Sequence, residues 1–312
     1  MRYLPKLQQL QTFRAVLLHG SIRTAAKALG QSQPGVTRSL QELEQILGIS
    51  LMTRGSTGVV LTDVGRLFNS RIELVLNELD RALDEIEHHN SSTSGHVTIG
   101  LSLLPILTIF PGAIKRFKVK HTKSCVTNVE GQISELLPGL RNGKLDFIIC
   151  SHAPLEYLGG LVQEPLIDTQ YFIYARKGHP LAGCTSLVEL QDAEWFLPLT
   201  QIGHYNQLEQ ILFKSSNSQN KSIMRGTGSV ALQMVMKADY LTIATSQMVR
   251  NNLFKQDFCV IPVKEMLPAA KFSLVYSSER PLTLAAKDLM QEFRFESQCF
   301  DWSEPIDSGT VS

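Results

Sequence analysis

Two short helical patterns meet at a single glycine in SIRTAAKALGQSQPGVTRSLQELEQIL, residues 21–47, and few folds accommodate that join. Ala25, Ala26, Ala28 and Leu29 recur at helical spacing until Gly30, where a left-handed residue is needed to turn the chain. Ser32 is placed to N-cap the next helix, and Pro34 suits its first turn, where an N–H has no intrahelical partner to lose. Val36, Leu40, Leu43 and Leu47 then follow at steps of four, three and four, giving that helix one buried stripe. Ala26, Gly30 and Val36 are small enough to let the two helices touch. The opposite face carries Gln33, Thr37, Arg38 and Gln41, side chains that reach base edges or phosphates. This pattern predicts a helix-turn-helix and points the chain at DNA.

The flanks extend the same reading. Leu7, Leu10, Phe13, Val16 and Leu17 predict a preceding amphipathic helix, closed by Gly20. After Gly48, short apolar segments around Leu51 and around Val59 to Leu61, joined by TRGSTG, predict a β-ribbon wing with Arg54 at its base. Thr62 then caps a long helix running to about His89. On it Phe68, Ile72, Val75, Leu79, Ala82 and Ile86 fall at alternating steps of four and three, a heptad seam suited to dimerisation. A second row, Leu67, Leu74, Leu76 and Leu83, widens the apolar surface. Two contacts are therefore expected of this helix, one with its own DNA-binding domain and one with a second copy.

The net charge of +1 hides an uneven distribution. Residues 1–65 carry seven Lys/Arg against three Asp/Glu, and residues 66–90 carry three against six. A basic N-terminal module on a neutral body suits a local DNA contact, not a chain-wide nucleic-acid surface. The five cysteines are odd in number and far apart, so reduced thiols are expected, with no metal site and no cofactor. The longest uncharged run, residues 97–114, is broken by Gly100, Pro105, Pro111 and Gly112, which predicts a strand and a helix start and no membrane span. The opening residues are amphipathic and charged, unlike a signal peptide, and a cytoplasmic location is expected.

NSSTSG at residues 90–95 is polar and flexible, and the hinge is placed at residues 91–96. Beyond it strands alternate with helices: HVTIGLS, then a helix with Phe110, Ile114 and Phe117, then CVTNVEG, ISELLPGLRNG and LDFIICS. That rhythm predicts a parallel sheet flanked by helices. TQYFIYA, EWFLP, YLTIAT, FCVIPV and KFSLVYS read as further strands, with helices near residues 205–214, 229–237 and 283–295. The expected architecture is multidomain. An N-terminal all-α winged helix-turn-helix (residues 1–65) precedes a long linker and dimerisation helix (66–90). A C-terminal α/β effector domain of periplasmic-binding-protein type (97–302) follows, with lobe I at about 97–167 and 270–300 and lobe II at about 168–269.

Residues from about 7 to 295 resemble the LysR-type transcriptional regulators. The resemblance is carried by FRAVLLHGSIRTAAKALGQSQPGVTRSLQELEQILGISLMTR, by LTDVG, by GQISELLPGLRNGKLDFII and by KGHPL. Met52 stands where the family usually has phenylalanine, and Thr245 where proline is common. EGQISELL, LPLTQIGHYNQL, KADYLTIAT and EMLPAAKFSLVYS resemble two branches, the activators of anaerobic threonine degradation and the regulators of p-aminobenzoyl-glutamate use. A recognition helix offers its first residues to the major groove, so Ser32, Gln33, Pro34, Thr37 and Arg38 are the expected base and phosphate contacts. Lys27 and Arg54 are expected to hold the backbone. The partners implied are double-stranded promoter DNA, a small-molecule co-inducer, a second copy of the chain, a dimer of dimers, and RNA polymerase.

For the co-inducer, the resemblance matches Ser102, Gln132, Thr200, Gln201, Thr227 and Ser229 to effector-contacting positions. Each falls at a strand end or a helix start, where open amides favour a carboxylate. A solute-binding protein of the same two-lobed fold with no DNA role is the alternative, and it leaves the N-terminal module unexplained. No G-x-S-x-G, H-E-x-x-H or phosphate-binding glycine loop occurs, so no enzyme is expected.

Overall fold

The computed structural model describes residues 4–55, 58–89, 95–199, 202, 205–213, 223–249 and 257–302. It divides into two compact units, Met1–Glu87 with Arg141–Lys144, and His88–Leu140 with Leu145–Ser312.

In the first unit, α1 (Leu7–His19), α2 (Ile22–Ala28) and α3 (Gln33–Leu47) precede a two-stranded antiparallel ribbon, β1 (Met52–Gly55) and β2 (Gly58–Leu61), and the long helix α4 (Asp63–His89). The caps sit where their chemistry puts them. Ser21 Oγ accepts from Thr24 N at 3.2 Å, and Ser32 Oγ accepts from Gly35 N at 3.2 Å. Gly30 turns the chain between α2 and α3 at φ 63°. Phe13, Val16, Ala25, Ala26, Val36, Leu40, Leu43 and Leu51 form the core. Glu44 ties the recognition helix to the wing by accepting from Leu51 N at 2.6 Å and Met52 N at 3.2 Å. Met52 packs at the core's edge, so the exchange for phenylalanine is absorbed there.

The LTDVG segment has a steric explanation. Thr62 Oγ1 accepts from Gly65 N at 2.9 Å and donates to Ser50 O at 3.0 Å, starting α4 against the loop before the wing. A Cβ on Gly65 would lie 1.9 Å from Leu51 O, so only glycine lets α4 approach this closely.

The heptad reading of α4 needs correction. Ile72 and Leu76 are buried in the domain's own core, and Phe68 packs edge-on against Phe13 at 5.6 Å. Phe68 and Ile72 are thus spent within one chain, in the expected contact with its own domain, while Leu76, from the second row, is the most buried of the three. Val75 and Ile86 of the seam are exposed, as are Val64, Leu67 and Leu83. Ala82 is exposed and Leu79 half-buried.

The second unit is built on one mixed nine-stranded sheet. Its elements are β3 (His96–Leu101), α5 (Leu103–Leu107), α6 (Phe110–Lys120), β4 (Cys125–Glu130), α7 (Ile133–Arg141), β5 (Phe147–Ser151), β6 (Leu161–Arg176), β7 (Trp195–Pro198), α8 (Tyr205–Leu212), β8 (Ile223–Gly226), α9 (Gly228–Ala238), β9 (Leu241–Thr245), α10 (Ser246–Val249), β10 (Phe258–Ile261), β11 (Ala269–Ser277) and α11 (Leu284–Cys299). The order is β4-β3-β5-β11-β6-β9-β7-β8, with β10 also on β6. The expected parallel pairing holds for β3 with β4 and β5, and for β7 with β8 and β9. β6 and β11 run antiparallel to their neighbours and to each other, making the sheet continuous through both lobes.

β6 is 16 residues long, more than twice the TQYFIYA segment the sequence suggested. Pro165 lies in the part of the strand that precedes that segment. It sits where the β11 register shifts between Phe272 and Ser273, a bulge at which a ladder donor is dispensable. β5 is buried along its whole length, with Phe147 and Ile149 facing the large core and Ile148 and Cys150 facing α7.

Helices α6 and α11 are joined by charge. Glu292 accepts from Arg116 Nε at 2.8 Å and from Lys120 Nζ at 3.1 Å, and Arg116 also pairs with Glu296. The Arg116 hydrogen bond, supported by Lys120 and opposed by burial, holds the Glu292 carboxyl below its ordinary value of 4.5. A depressed carboxylate contributes stability above its unfolded value and loses it as pH falls through the lower folded value. Glu292→Gln is expected to lower stability by about 1–2 kcal/mol at pH 7, since Arg116 is partly exposed. Thermal melts from pH 7 to 3 check this, and the gap between the proteins should narrow as pH falls below the ordinary value of 4.5.

Candidate functional site

Two groups of residues are candidates for function, one in each unit. In the first, the N-terminal end of α3 presents Ser32, Gln33, Pro34 and Arg38 to solvent, while Thr37 is half-buried. The Arg38 side chain is 82% exposed, enough to reach a duplex without rearranging the helix. Its Nε donates to Glu42 Oε1 at 3.0 Å, and Glu42 Oε2 accepts from the buried Gln9 Nε2 at 3.2 Å. Glu42 and Gln9 therefore orient Arg38, a role missed in the sequence because Gln9 lies 33 residues away on α1. Ser32 and Thr37 are partly committed to the helix itself. Ser32 Oγ is the cap, and Thr37 Oγ1 donates to Gln33 O at 3.0 Å. Lys27 is exposed on α2. Arg54 lies on β1, but its side chain falls outside the described residues, so its contact with the backbone has no geometry here.

In the second unit, a cleft opens at the C-terminal ends of β3, β7 and β8, where sheets of this kind accept ligands. It encloses about 40 Å³ and is lined by Ser102, Leu103 and Leu104 from one lobe and by Phe196, Thr227, Gly228 and Leu232 from the other, among others. Three of the expected effector residues, Ser102, Gln132 and Thr227, line this one cavity although up to 125 positions separate them. Ser102 is buried, with its N–H on Ile149 O at 3.0 Å and its hydroxyl 3.4 Å from the same oxygen. Thr227 begins α9 with no side-chain cap, its Oγ1 lying 3.1 Å from Ser229 Oγ. The first amides of α9 are thus left without side-chain capping.

Ser229 is exposed and does not line the cavity. Thr200 and Gln201 lie outside the described residues. Thr245, where the family usually has proline, is fully buried opposite Tyr171, behind the cavity wall. Reasoning from sequence missed Leu103, Phe196, Thr242, Met248 and Phe272, which lie within helices and strands where nothing local marks them off from core residues. Thr242 Oγ1 donates to Phe196 O at 2.8 Å, fixing β7 beside β9 at the rim.

Other chemistry is sparse. Among the described residues no cluster of His, Cys, Asp or Glu fits a metal ion, and no helix is long and apolar enough to cross a membrane. All five cysteines are free thiols, and burial pushes Cys150 far above its ordinary value, which leaves it unreactive.

Comparison with known proteins agrees with this arrangement. Residues 7–66 match the family model of the bacterial regulatory helix-turn-helix protein, LysR family, and residues 90–297 match the LysR substrate binding domain. The chain is 33% identical over 288 residues to the HTH-type transcriptional regulator TdcA of Escherichia coli (strain K12), covering 92% of each. This relative lies in the first of the two branches that the sequence resembles. Among solved structures, CbnR complexed with its target DNA matches with a TM-score of 0.66 at 20% identity, over 93% of this chain and 99% of that one. A full-length OxyR point variant from Pseudomonas aeruginosa matches with a TM-score of 0.67 at 18% identity, over 97% and 100%. At those identities the two structures speak for the fold. The helix-turn-helix match sets aside a solute-binding protein with no DNA role. The chain belongs to the LysR family of DNA-binding transcriptional regulators, with an N-terminal helix-turn-helix and a C-terminal substrate-binding domain.

Proposed function

We propose that this regulator grips promoter DNA in the cytoplasm as a pair of chains and responds to a small carboxylated metabolite held in the cleft of its second unit. Residues 1–65 form the DNA-binding module, 66–90 the linker and 97–302 the effector domain. The observation that carries the proposal is the convergence of Ser102, Gln132 and Thr227 on one cavity in a chain whose α3 exposes Gln33 and Arg38. Gln33 offers a bidentate contact to adenine and Arg38 one to guanine or a phosphate. Lys27 and Arg54 hold the backbone and set the register.

A single module of this size binds weakly, so pairing is part of the mechanism. The exposed apolar face of α4 supports it. Two copies read a dyad-symmetric site on one face of the duplex, and two such pairs form a dimer of dimers. The metabolite shifts the spacing of the DNA-binding pairs through its differential affinity for two arrangements, altering DNA bend and contact with RNA polymerase.

Arg38→Ala is expected to weaken specific DNA binding by about 1–3 kcal/mol, while leaving binding to unrelated DNA within a few-fold. Fluorescence anisotropy on specific and scrambled duplexes measures both. An equal loss on the two duplexes makes Arg38 a phosphate contact, and no loss removes it from the interface.

A further inference from the structure

We infer that Arg38 reads a guanine edge and not a phosphate, and that Glu42 and the buried Gln9 are the positioning residues that make it do so. The inference rests on α3 being the recognition helix. An arginine presents its donors in parallel in two ways, side-on through Nε with one Nη, or end-on through both Nη groups. Here Nε donates to Glu42 Oε1 at 3.0 Å, which occupies the side-on face. The end-on fork remains, and it has no partner among the described residues. Two parallel donors fit O6 and N7, the adjacent acceptor pair that guanine alone shows in the major groove.

Geometry alone would let the same fork take a phosphate, and charge decides between the two. The Glu42 carboxylate lies one hydrogen bond from the guanidinium and offsets its charge. A phosphate on the fork would bring a second anion close to that carboxylate, whereas the guanine edge is neutral. Helix stability does not explain the pair. Its cation stands nearer the N-terminus at i,i+4 spacing, the less favourable order along the helix dipole, and Arg38 is mostly exposed.

What holds Glu42 is buried. Its Oε2 accepts from Gln9 Nε2 at 3.2 Å, and Gln9 is 4% exposed on α1. Gln9 Oε1 accepts in turn from Lys6 N at 2.9 Å. Turning this amide over would set its NH₂ against the Lys6 N–H and its oxygen against the carboxylate, so both ends fix one orientation. Phe13 of α1 shares a core with Val36, Leu40 and Leu43 of α3, which makes the base of this relay rigid. The fork is therefore set before DNA arrives, and less side-chain freedom is lost on binding.

The test uses the full-length protein and its R38A, E42A, Q9M and R38A/E42A variants, each checked for a native far-ultraviolet spectrum and cooperative melt. The probes are a duplex selected from a random library by the parent, its single base-pair substitutions and a scrambled duplex, measured by fluorescence anisotropy over a range of salt. The parent is expected to prefer guanine about 5- to 100-fold at one position of a half-site. R38A should erase that preference and no other. E42A should reduce it about 3- to 10-fold at the same position, yet bind the scrambled duplex more tightly, because an anion has left the interface. Q9M should reduce the preference as E42A does, without the gain on scrambled DNA, since Glu42 keeps its charge. Adding E42A to R38A should change base preference no further.

A uniform loss on every duplex in R38A, with the salt slope lowered by about one, makes Arg38 a phosphate contact. That result, or no change in R38A, overturns the inference and leaves α3 as the recognition helix. Loss in R38A of a preference for a base other than guanine overturns the guanine assignment. An undiminished guanine preference in E42A overturns the positioning roles, whether or not Q9M folds. A parent that binds its selected duplex no better than the scrambled one overturns the recognition-helix reading itself, and the inference with it.

Discussion

Val75→Asp combined with Ile86→Asp is expected to yield a folded monomer whose affinity for specific DNA is roughly 100- to 1,000-fold lower than the parent's. Val75 is 53% exposed and Ile86 68% exposed on α4, so neither substitution disturbs the first unit's own core. Aspartate there places charge on the surface that two copies would have to bury, and desolvating an unpaired carboxylate opposes association strongly. A monomer retains one helix-turn-helix and therefore one half-site, and the gap between specific and single-module binding is of that order. Sedimentation velocity and mobility shift on the same preparation report both effects. Loss of DNA binding without loss of the dimer would show that the two residues act on the DNA-binding unit directly.

The second large effect is expected at Gly65. Gly65→Val sets a branched side chain where a Cβ alone already meets Leu51 O at 1.9 Å. Neither partner can yield cheaply, because Leu51 N and the adjoining Met52 N are held by Glu44, and Thr62 is bonded to Ser50 O and Gly65 N. Either α4 leaves the core that takes up Ile72 and Leu76, or the wing is displaced from α3. The expected loss is about 3 kcal/mol, at the upper end of overpacking costs. In thermal denaturation of the full chain, the N-terminal unit should melt first while the C-terminal unit keeps its transition. Gly65→Ala should show the same pattern at reduced size. A parent-like melt for Gly65→Val would remove the steric account of the LTDVG segment.

How much of this was legible beforehand follows from how local each signal is. The helix-turn-helix rests on contacts within about ten residues: a serine cap, a proline in the first turn, a glycine at positive φ and an apolar stripe. Such features repeat in any context, and Ser21, Ser32 and Gly30 behave in the structure as their chemistry dictates. The long helix was legible as a helix but not in its facing. Phe68, Ile72 and Leu76 advance four residues at a time along a row inclined to the axis, so the row meeting the domain crosses a seam drawn by heptads. Only the packing partner on α1 reveals which row turns inward.

The cleft divides in the same way. Its polar members, Ser102 and Thr227, mark helix starts and could be found from that position. Leu103, Phe196 and Met248 look like any core residue, because their role comes from two lobes meeting and not from their own neighbourhood. The long crossover strand was read only over its second half, and its first half holds Pro165, tolerated by a bulge in a partner strand more than a hundred residues away. Gln9 behind Arg38 is a third case of a role set by a distant partner.

Selection of duplexes from a random library by the full-length protein tests the central claim most directly. If two chains clasped through α4 each offer one recognition helix, the enriched sequences should contain two half-sites related by a dyad. Their centres should lie about one helical turn or a multiple apart, and retention should fall steeply as salt rises. The V75D/I86D protein should enrich at most a single half-site. Enrichment of one short asymmetric site by the parent, or of no sequence at any salt concentration, would contradict the account.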